Sequence, residues 1–297
     1  MLKKGINIIC IGEILWDMLP TGAKAGGAPM NVALHLKKLG LNSKFAGRVG
    51  NDSLGNALKD FMLNQGMDID LVQTDPHFPT STVEVILNSA HQVRYDIVDN
   101  VAWDRIELTD ELKIACEKAD VLVYGTLASR HAFTHNTIIS LFDSPCLKFI
   151  DINLRPPFIN QVVVERLLHK SDIAKLNDEE LNLIGSWHNQ NLDLIDLTKW
   201  FAEKFNCQIV CITRGSKGAI VFNHEEILEH PGYNVKVVDT VGSGDAFLAG
   251  FLATFQSGKS LSEALDFACA TGALVATKAG GTPTYNLSDI QKIIKSK

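Results

Sequence analysis

Asp239–Gly250 reads DTVGSGDAFLAG. Three small residues, Gly242, Ser243 and Gly244, stand before an apolar helical stretch, Ala246–Phe255, with Asp245 at its mouth. A flexible turn opening a helix leaves several backbone N–H groups without intrahelical partners, and the aligned peptide dipoles add partial positive charge there. Such a terminus suits an anion, above all a phosphate, and Asp245 stands beside wherever that anion would sit. An ordinary N-cap would explain the acid, but not two glycines and a second acid, Asp239, in one run. A second segment, Ala25–Ala33, reads AGGAPMNVA. Gly26 and Gly27 allow close approach to the backbone, Pro29 suits a first helical turn, and Asn31 offers both a donor and an acceptor. That chemistry suits a polyol, although the segment alone is equally a glycine loop entering a helix.

Two further patterns imitate sites. Ala253–Ser260, ATFQSGKS, fits a relaxed P-loop, yet a true P-loop follows a strand. Ala253 falls inside a continuing helical pattern, so Gly258 reads as its stop and Ser260 to Glu263 as a capping box for the next helix. His131 and His135 have the i, i+4 spacing of some metal sites. No acid lies between them and no third ligand is evident nearby, so a solvated helix face is the expectation. After the first strand, Gly12 leads straight to Glu13 with no GxGxxG, which removes the main support for a dinucleotide-binding oxidoreductase.

The elements that must carry these residues alternate. Short apolar runs at Ile6–Ile11, Lys44–Val49, Val121–Tyr124, Lys148–Ile152, Ile173–Leu176, Ile209–Thr213 and Gly218–Phe222 read as core strands. Helical patterns lie between many of them, such as Asn31–Leu39 stopped by Gly40 and Leu54–Gln65 stopped by Gly66. Continuous apolar strands are buried on both faces, which predicts a mostly parallel sheet covered by helices, an α/β fold in three layers. One segment breaks the rhythm: Thr82–Asn88 and Val93–Val98 alternate with period two around Ser89–Ala90. They predict an antiparallel hairpin, either a flap over a ligand or a plain edge hairpin. No linker or repeat interrupts residues 1–297, so one domain with a small β lid is expected.

Composition narrows the function. The chain has 297 residues, 46% of them hydrophobic and 21% charged, enough for a large core and too ordered in composition for disorder. Its 28 basic and 34 acidic side chains give 28 − 34 = −6 without a basic block, which disfavours nucleic acid and anionic membranes as partners. Six cysteines include no CxxC pair. Cys207 and Cys211 sit in a strand-like run spanning roughly 13 Å, too far for a disulfide. Reduced, buried thiols and a soluble, cytoplasmic protein are expected. The apolar stretch at the amino terminus is short and broken by Asn7 and Glu13, and no run approaches the roughly 18 residues of a membrane span.

Taken together and in order, AGGAPMN and DTVGSGD resemble the two signatures of the ribokinase-like (PfkB) carbohydrate kinases. Gly47–Asp52 (GRVGND), Asn177–Glu180 (NDEE) and Thr213–Gly218 (TRGSKG) extend the resemblance over essentially the whole chain. Gly12–Asp17 (GEILWD) and Asp151–Pro156 (DINLRP) look most like the fructokinase branch. The resemblance implies a ribokinase-like fold with a lid formed by about residues 13–26 and 80–103, the strand near Ile14–Leu19 joining the hairpin. It implies transfer of the ATP γ-phosphoryl group to a sugar hydroxymethyl, with Mg2+, most simply fructose to fructose 6-phosphate. The alternatives are a kinase for 2-keto-3-deoxygluconate, ribose or a nucleoside, and a non-catalytic sugar- or nucleotide-binding regulator.

By the same resemblance, Asp245 accepts the hydroxyl proton while the amides of Gly242, Ser243 and Gly244 stabilise the phosphoryl charge. Ser243 stands where the family usually has Ala. Asp17, Gly26, Gly27 and Asn31 would hold sugar hydroxyls, and Arg155 would meet an anion or pair with a carboxylate. Thr213, Gly215 and Gly218 would line the nucleotide groove, with Asn177 and Glu180 organising magnesium-bound water. Asp239, the Val241 carbonyl and the turn at Gly280–Thr284 would hold a monovalent cation such as K+. A homodimer through the lid is the implied assembly. A helix amino terminus should lower the pKa of Asp245, which phosphoryl transfer tolerates because its transition state is loose and positioning contributes most.

Overall fold

In the computed structural model, which describes residues 5–19, 22–87 and 93–296, the apolar runs become the strands of one large sheet. The strands are β1 (Asn7–Ile11), β2 (Leu15–Leu19), β3 (Gly22–Gly26), β4 (Asn42–Gly50), β5 (Val72–Asp75), β6 (Ser81–Leu87) and β7 (Val93–Ile97). Then follow β8 (Val121–Gly125), β9 (Leu147–Asp151), β10 (Ile173–Asn177), β11 (Ile209–Thr213), β12 (Ala219–Phe222) and β13 (Ile227–His230). Nine of them form a sheet in the order β13-β12-β11-β10-β9-β8-β1-β4-β5. From β11 to β5 all pairings are parallel; β12 and β13 close one edge antiparallel.

The ten helices among the described residues are α1 (Ala28–Lys38), α2 (Ser53–Asn64), α3 (Asp110–Glu117), α4 (Ala132–Ser140), α5 (Gln161–Leu168), α6 (Asp178–Trp187), α7 (Leu194–Phe205), α8 (Ser243–Phe255), α9 (Leu261–Ala276) and α10 (Leu287–Lys295). Each strand sends alternate side chains to opposite faces. In β1, Ile8 and Cys10 join a core with α1, α2, α8, α9 and α10, while Ile9 and Ile11 join a second core with α3 to α7. Both faces being covered is why these strands read as unbroken apolar runs. All six cysteines are buried and free, and no helix among the described residues is long and apolar enough to cross a membrane.

A second, four-stranded sheet has the order β3-β2-β6-β7. The predicted hairpin is present, with Val83 opposite Ile97 and Leu87 opposite Val93, and its Ser89–Ala90 turn lies outside the described residues. Val83 and Ile97 are buried on its inner side. The alternation did not disclose β3, β5 or β13, which are short, half-exposed edge segments held by partner strands rather than by an apolar pattern of their own.

Candidate active site

Parallel strands end together, and the chemistry-bearing side chains collect at their carboxyl ends, where open α/β sheets bind ligands. Asp151 closes β9, Asn177 closes β10 with Lys175 at the middle of that strand, and Thr213 closes β11; Lys175 is in register with Asp151, and Asn177 with Thr213. A cleft of about 850 Å³ lies beyond these ends. Its wall includes Asp17, Gly26, Gly27, Asn31, Arg155, Asp239, Val241, Gly242, Gly244, Asp245 and Gly280, so residues more than two hundred positions apart in the chain meet there. Leu15, Val83, Ile97 and Leu127 supply an apolar side.

Helix capping distinguishes this end of the molecule, because helix termini without side-chain caps suit anions. Seven helices have a side-chain cap at the amino terminus. The two helices capped by glycine, α1 at Gly27 and α8 at Gly242, have none, and both glycines face the cleft. Gly242 adopts φ 75°, and a Cβ there would collide with the Gly281 carbonyl. Ser243 donates its amide to Thr240 O at 3.2 Å and its hydroxyl to the same oxygen at 2.8 Å. Ser243 thus closes the turn instead of offering its amide to the cleft, contrary to its expected place among the anion donors. The amides of Gly242, Gly244 and Asp245 have no acceptor among the described residues.

Asp245 lies in the first turn of α8 rather than at its cap. Asn31 in α1 donates from Nδ2 to Asp245 Oδ2 at 2.8 Å. The helix-terminus argument predicted a lowered pKa for Asp245; burial reverses it. Desolvation, helped by the Asp151 charge, pushes Asp245 up to about 6 against the opposing pull of Asn31, Lys175 and Arg155. Burial likewise raises Asp17, whose carboxylate packs under Gly26, to about 6. Arg155 is exposed at the rim and makes no ion pair among the described residues, so neither of its expected partners is present in the chain itself. A keto-acid acceptor such as 2-keto-3-deoxygluconate would need a cation for its carboxylate, which the sequence offers at Arg155 and Arg94; the side chain of Arg94 lies outside the described residues.

Three buried charges escaped the sequence reading. Glu13 lines the cleft and accepts from the Ala28 amide at 3.2 Å through Oε1, while its buried Oε2 has no partner. Desolvation raises its pKa to about 7. Lys175 reaches the cleft wall and pairs with Asp151 at 2.8 Å. The available signal was an ionisable residue within a mostly apolar strand, as Lys175 in IAKLN and Asp151 in LKFID.

The nucleotide and magnesium candidates sit apart from this wall, whereas the monovalent-cation candidates Asp239, Val241 and Gly280 belong to it. Asn177 and Glu180 form a capping box on α6: Glu180 N donates to Asn177 Oδ1 at 2.7 Å, and Asn177 N to Glu180 Oε2 at 2.9 Å. Glu180 Oε1 accepts from Leu154 N at 2.7 Å. A carboxylate so engaged suits magnesium through an intervening water better than direct ligation. Thr213, Gly215 and Gly218 lie on the β11–β12 shoulder, where a Cβ on Gly218 would strike the His230 carbonyl. Asp239 accepts from Val241 N at 3.0 Å and Gly280 N at 2.9 Å. The Thr284 carbonyl is turned to Lys278 at 2.6 Å, and Lys38 takes the Thr282 and Pro283 carbonyls at 2.7 and 3.1 Å. The structure therefore gathers Asp239, Val241 and Gly280 at the cleft but engages Thr284 elsewhere.

Both imitations resolve. Ala253 is inside α8, and Ser260 caps α9 in a box with Glu263, so no P-loop exists. The His131/His135 pair is not a solvated face: His135 is buried in α4. His131 does have acidic neighbours, since ligand-type atoms of Asp99, Asp104 and His131 lie within 4.8 Å of one another. Arg130 forks onto Asp104 at 2.7 and 2.8 Å, which already places a cation there.

An α/β sheet with two helix ends lacking side-chain caps and a half-buried acid at its carboxyl edge is an architecture suited to binding an anion such as a phosphate. The pfkB family carbohydrate kinase profile matches residues 21–286, and the chain belongs to that family of sugar kinases. The chain is 29% identical to a fructokinase of Escherichia coli, over 91% of this chain and 93% of that one. A fructokinase from Xylella fastidiosa with bound ATP superposes with a TM-score of 0.87 at 23% identity, covering 98% of both chains. A double mutant of Vibrio cholerae fructokinase with fructose, ADP and a potassium ion bound gives 0.83 at 22% identity, covering 97% and 98%.

Proposed function

We propose that this protein is an ATP-dependent fructokinase that makes fructose 6-phosphate. The observation that carries the reading is Asp245: a half-buried carboxylate in the first turn of a glycine-capped helix, beside amides without acceptors among the described residues and lining the same cleft as Asp17. In the reaction, the sugar hydroxymethyl oxygen forms a bond to the γ-phosphorus. The bond from that phosphorus to the β–γ bridging oxygen breaks, and its electron pair leaves with ADP. Asp245 takes the hydroxyl proton, for which its pKa of about 6 makes it a stronger base than an exposed aspartate. The amides of Gly242, Gly244 and Asp245 hold the charge on the transferring group. Asp17, the Gly26–Gly27 backbone and the unpartnered Asn31 Oδ1 orient the sugar.

ATP would lie over the shoulder formed by Asn177, Thr213, Gly215 and Gly218, so that its phosphates point to α8. Magnesium neutralises phosphate charge when bound, and Glu180 would reach it through water. Asp239 and the Val241 carbonyl would hold a monovalent cation such as potassium only weakly, because the Lys38 and Lys278 ammonium groups already take the Thr282, Pro283 and Thr284 carbonyls beside them. The sheet of β2, β3, β6 and β7 would act as a lid, shutting water out during transfer, and its edge is the natural surface for a homodimer. The whole chain would work as one domain in the cytoplasm, consistent with its buried free thiols.

A second reading has one observation in its favour. The unpaired Arg155 guanidinium at the rim suits a carboxylate, as in 2-keto-3-deoxygluconate. The test is ADP release with Mg-ATP across fructose, ribose, 2-keto-3-deoxygluconate, glucose and adenosine, beside Asp245→Asn. Turnover on fructose alone, abolished in the variant, supports the fructokinase reading. Preference for the keto acid moves the substrate to the second reading, and preference for ribose or adenosine overturns both. Binding without turnover on any acceptor would indicate a regulator.

A further inference from the structure

Lys175 is a buried lysine at the middle of the short strand β10, and burial by itself would depress its pKa. The neighbouring Asp151, with Glu180 and Asp245 beyond, reverses that shift and keeps the ammonium charged. Its one hydrogen bond goes to Asp151 Oδ1 at 2.8 Å, leaving two of the three N–H donors of an ammonium without an acceptor among the described residues. Those donors lie at the cleft wall. A Cβ on Gly244 would come within 3.4 Å of Nζ, so the ammonium sits against the first turn of α8, beside the free amides.

A structural ion pair is a poor explanation for this arrangement. Burying two charges yields little net stability unless every lone pair and proton is satisfied. Here the second oxygen of Asp151 is buried without a partner, and the ammonium is under-bonded on its cleft side. The other cations on the cleft wall, Lys24 and Arg155, are half-buried and exposed, respectively. Lys175 is the one held in place from beneath. We propose, building on the kinase reading above, that Lys175 is a further catalytic residue, contacting the oxygens of the phosphoryl group in flight, with Asp151 as its positioning residue. The ammonium balances charge on the group as its bond to ADP breaks and the bond to the sugar oxygen forms. The Gly244 amide, which has no acceptor among the described residues, then stands beside this ammonium at the opening of α8.

The test compares wild type with Lys175→Met and with the double variant Lys175→Met/Asp151→Asn. The double variant removes the orphaned carboxylate charge that could unfold the single one. Four readouts are needed: thermal unfolding, affinity for ADP, affinity for ADP with aluminium fluoride and fructose, and kcat beside the sugar KM. The expected result is a folded double variant that binds ADP within about threefold of wild type. It loses about 100-fold in kcat and a similar factor in affinity for the aluminium fluoride complex, as for removal of one oxyanion donor, while the sugar KM is unchanged. A double variant that keeps wild-type turnover, or binds the aluminium fluoride complex normally, overturns the role of Lys175 and leaves the kinase reading standing. So does one that cannot fold, because the pair is then structural. A wild type that turns over none of the acceptors overturns the kinase reading, and the inference falls with it.

Discussion

The pH dependence of turnover tests the assignment of Asp245 most directly. A base with a pKa of about 6 is nearly all ionised at pH 8 and only about one-tenth ionised at pH 5. The rate therefore stands above the pKa and falls as pH drops through it, about tenfold per unit below pH 6. Glu13 and Asp17, raised to about 7 and about 6, titrate in the same range, so the acid limb alone does not identify its owner. Asn31 separates them, because its Nδ2 donates to Asp245 Oδ2 at 2.8 Å. A hydrogen bond to a charged group contributes about 1.5–3 kcal/mol, and one pKa unit corresponds to about 1.4 kcal/mol. Asn31→Ala should therefore move the limb of kcat/KM upward by about one to two units. The assay is ADP release from pH 5 to 9 with excess coupling enzyme, run on wild type, Asn31→Ala and Glu13→Gln. The displacement should appear in the first variant and be absent from the second. A limb that stays put in Asn31→Ala, or that moves equally in Glu13→Gln, would refute Asp245 as the titrating base.

Gly242→Ala should lower kcat by at least about 100-fold, since φ 75° and the Gly281 carbonyl leave no place for a methyl group. Its thermal midpoint should fall with it, and near-wild-type turnover would rule out the α8 turn as the anion site. Glu13→Gln should raise the melting temperature at pH 8. A carboxyl whose folded pKa is raised to about 7 loses stability as pH rises from its unfolded value through 7, so the gain should be on the order of 1–3 kcal/mol at pH 8 and vanish near pH 4. Thermal unfolding at both pH values checks the sign. Potassium should change kcat by less than about threefold, because lysine ammonium groups already bind the carbonyls of Thr282, Pro283 and Thr284. Titrating KCl into a sodium-free assay measures this, and a tenfold response would show that the ammonium groups do not replace the ion.

The apolar runs, their flanking stop residues and the period-two hairpin were legible because each records a local rule: alternate strand faces, helix caps, a pleated edge. The two glycine segments were legible for a similar reason, since Gly242 and Gly27 occupy backbone positions that a Cβ would block. What local patterns could not carry was the environment each ionisable group would meet. The helix terminus alone implied a lowered pKa for Asp245, yet burial beside Asp151 raises it. Ser243 looked like an anion donor until the turn folded its amide onto Thr240. His135 looked exposed until α4 packed it inward. Glu13, Asp151 and Lys175 read as single charges in strand-like segments. By itself the sequence determined the order of the core strands and many of the helices between them, and the two small-residue turns that open helices toward the cleft. Only the tertiary structure decided which charges share the cleft, because desolvation and Coulomb interactions act between groups brought together by long-range packing rather than by spacing along the chain.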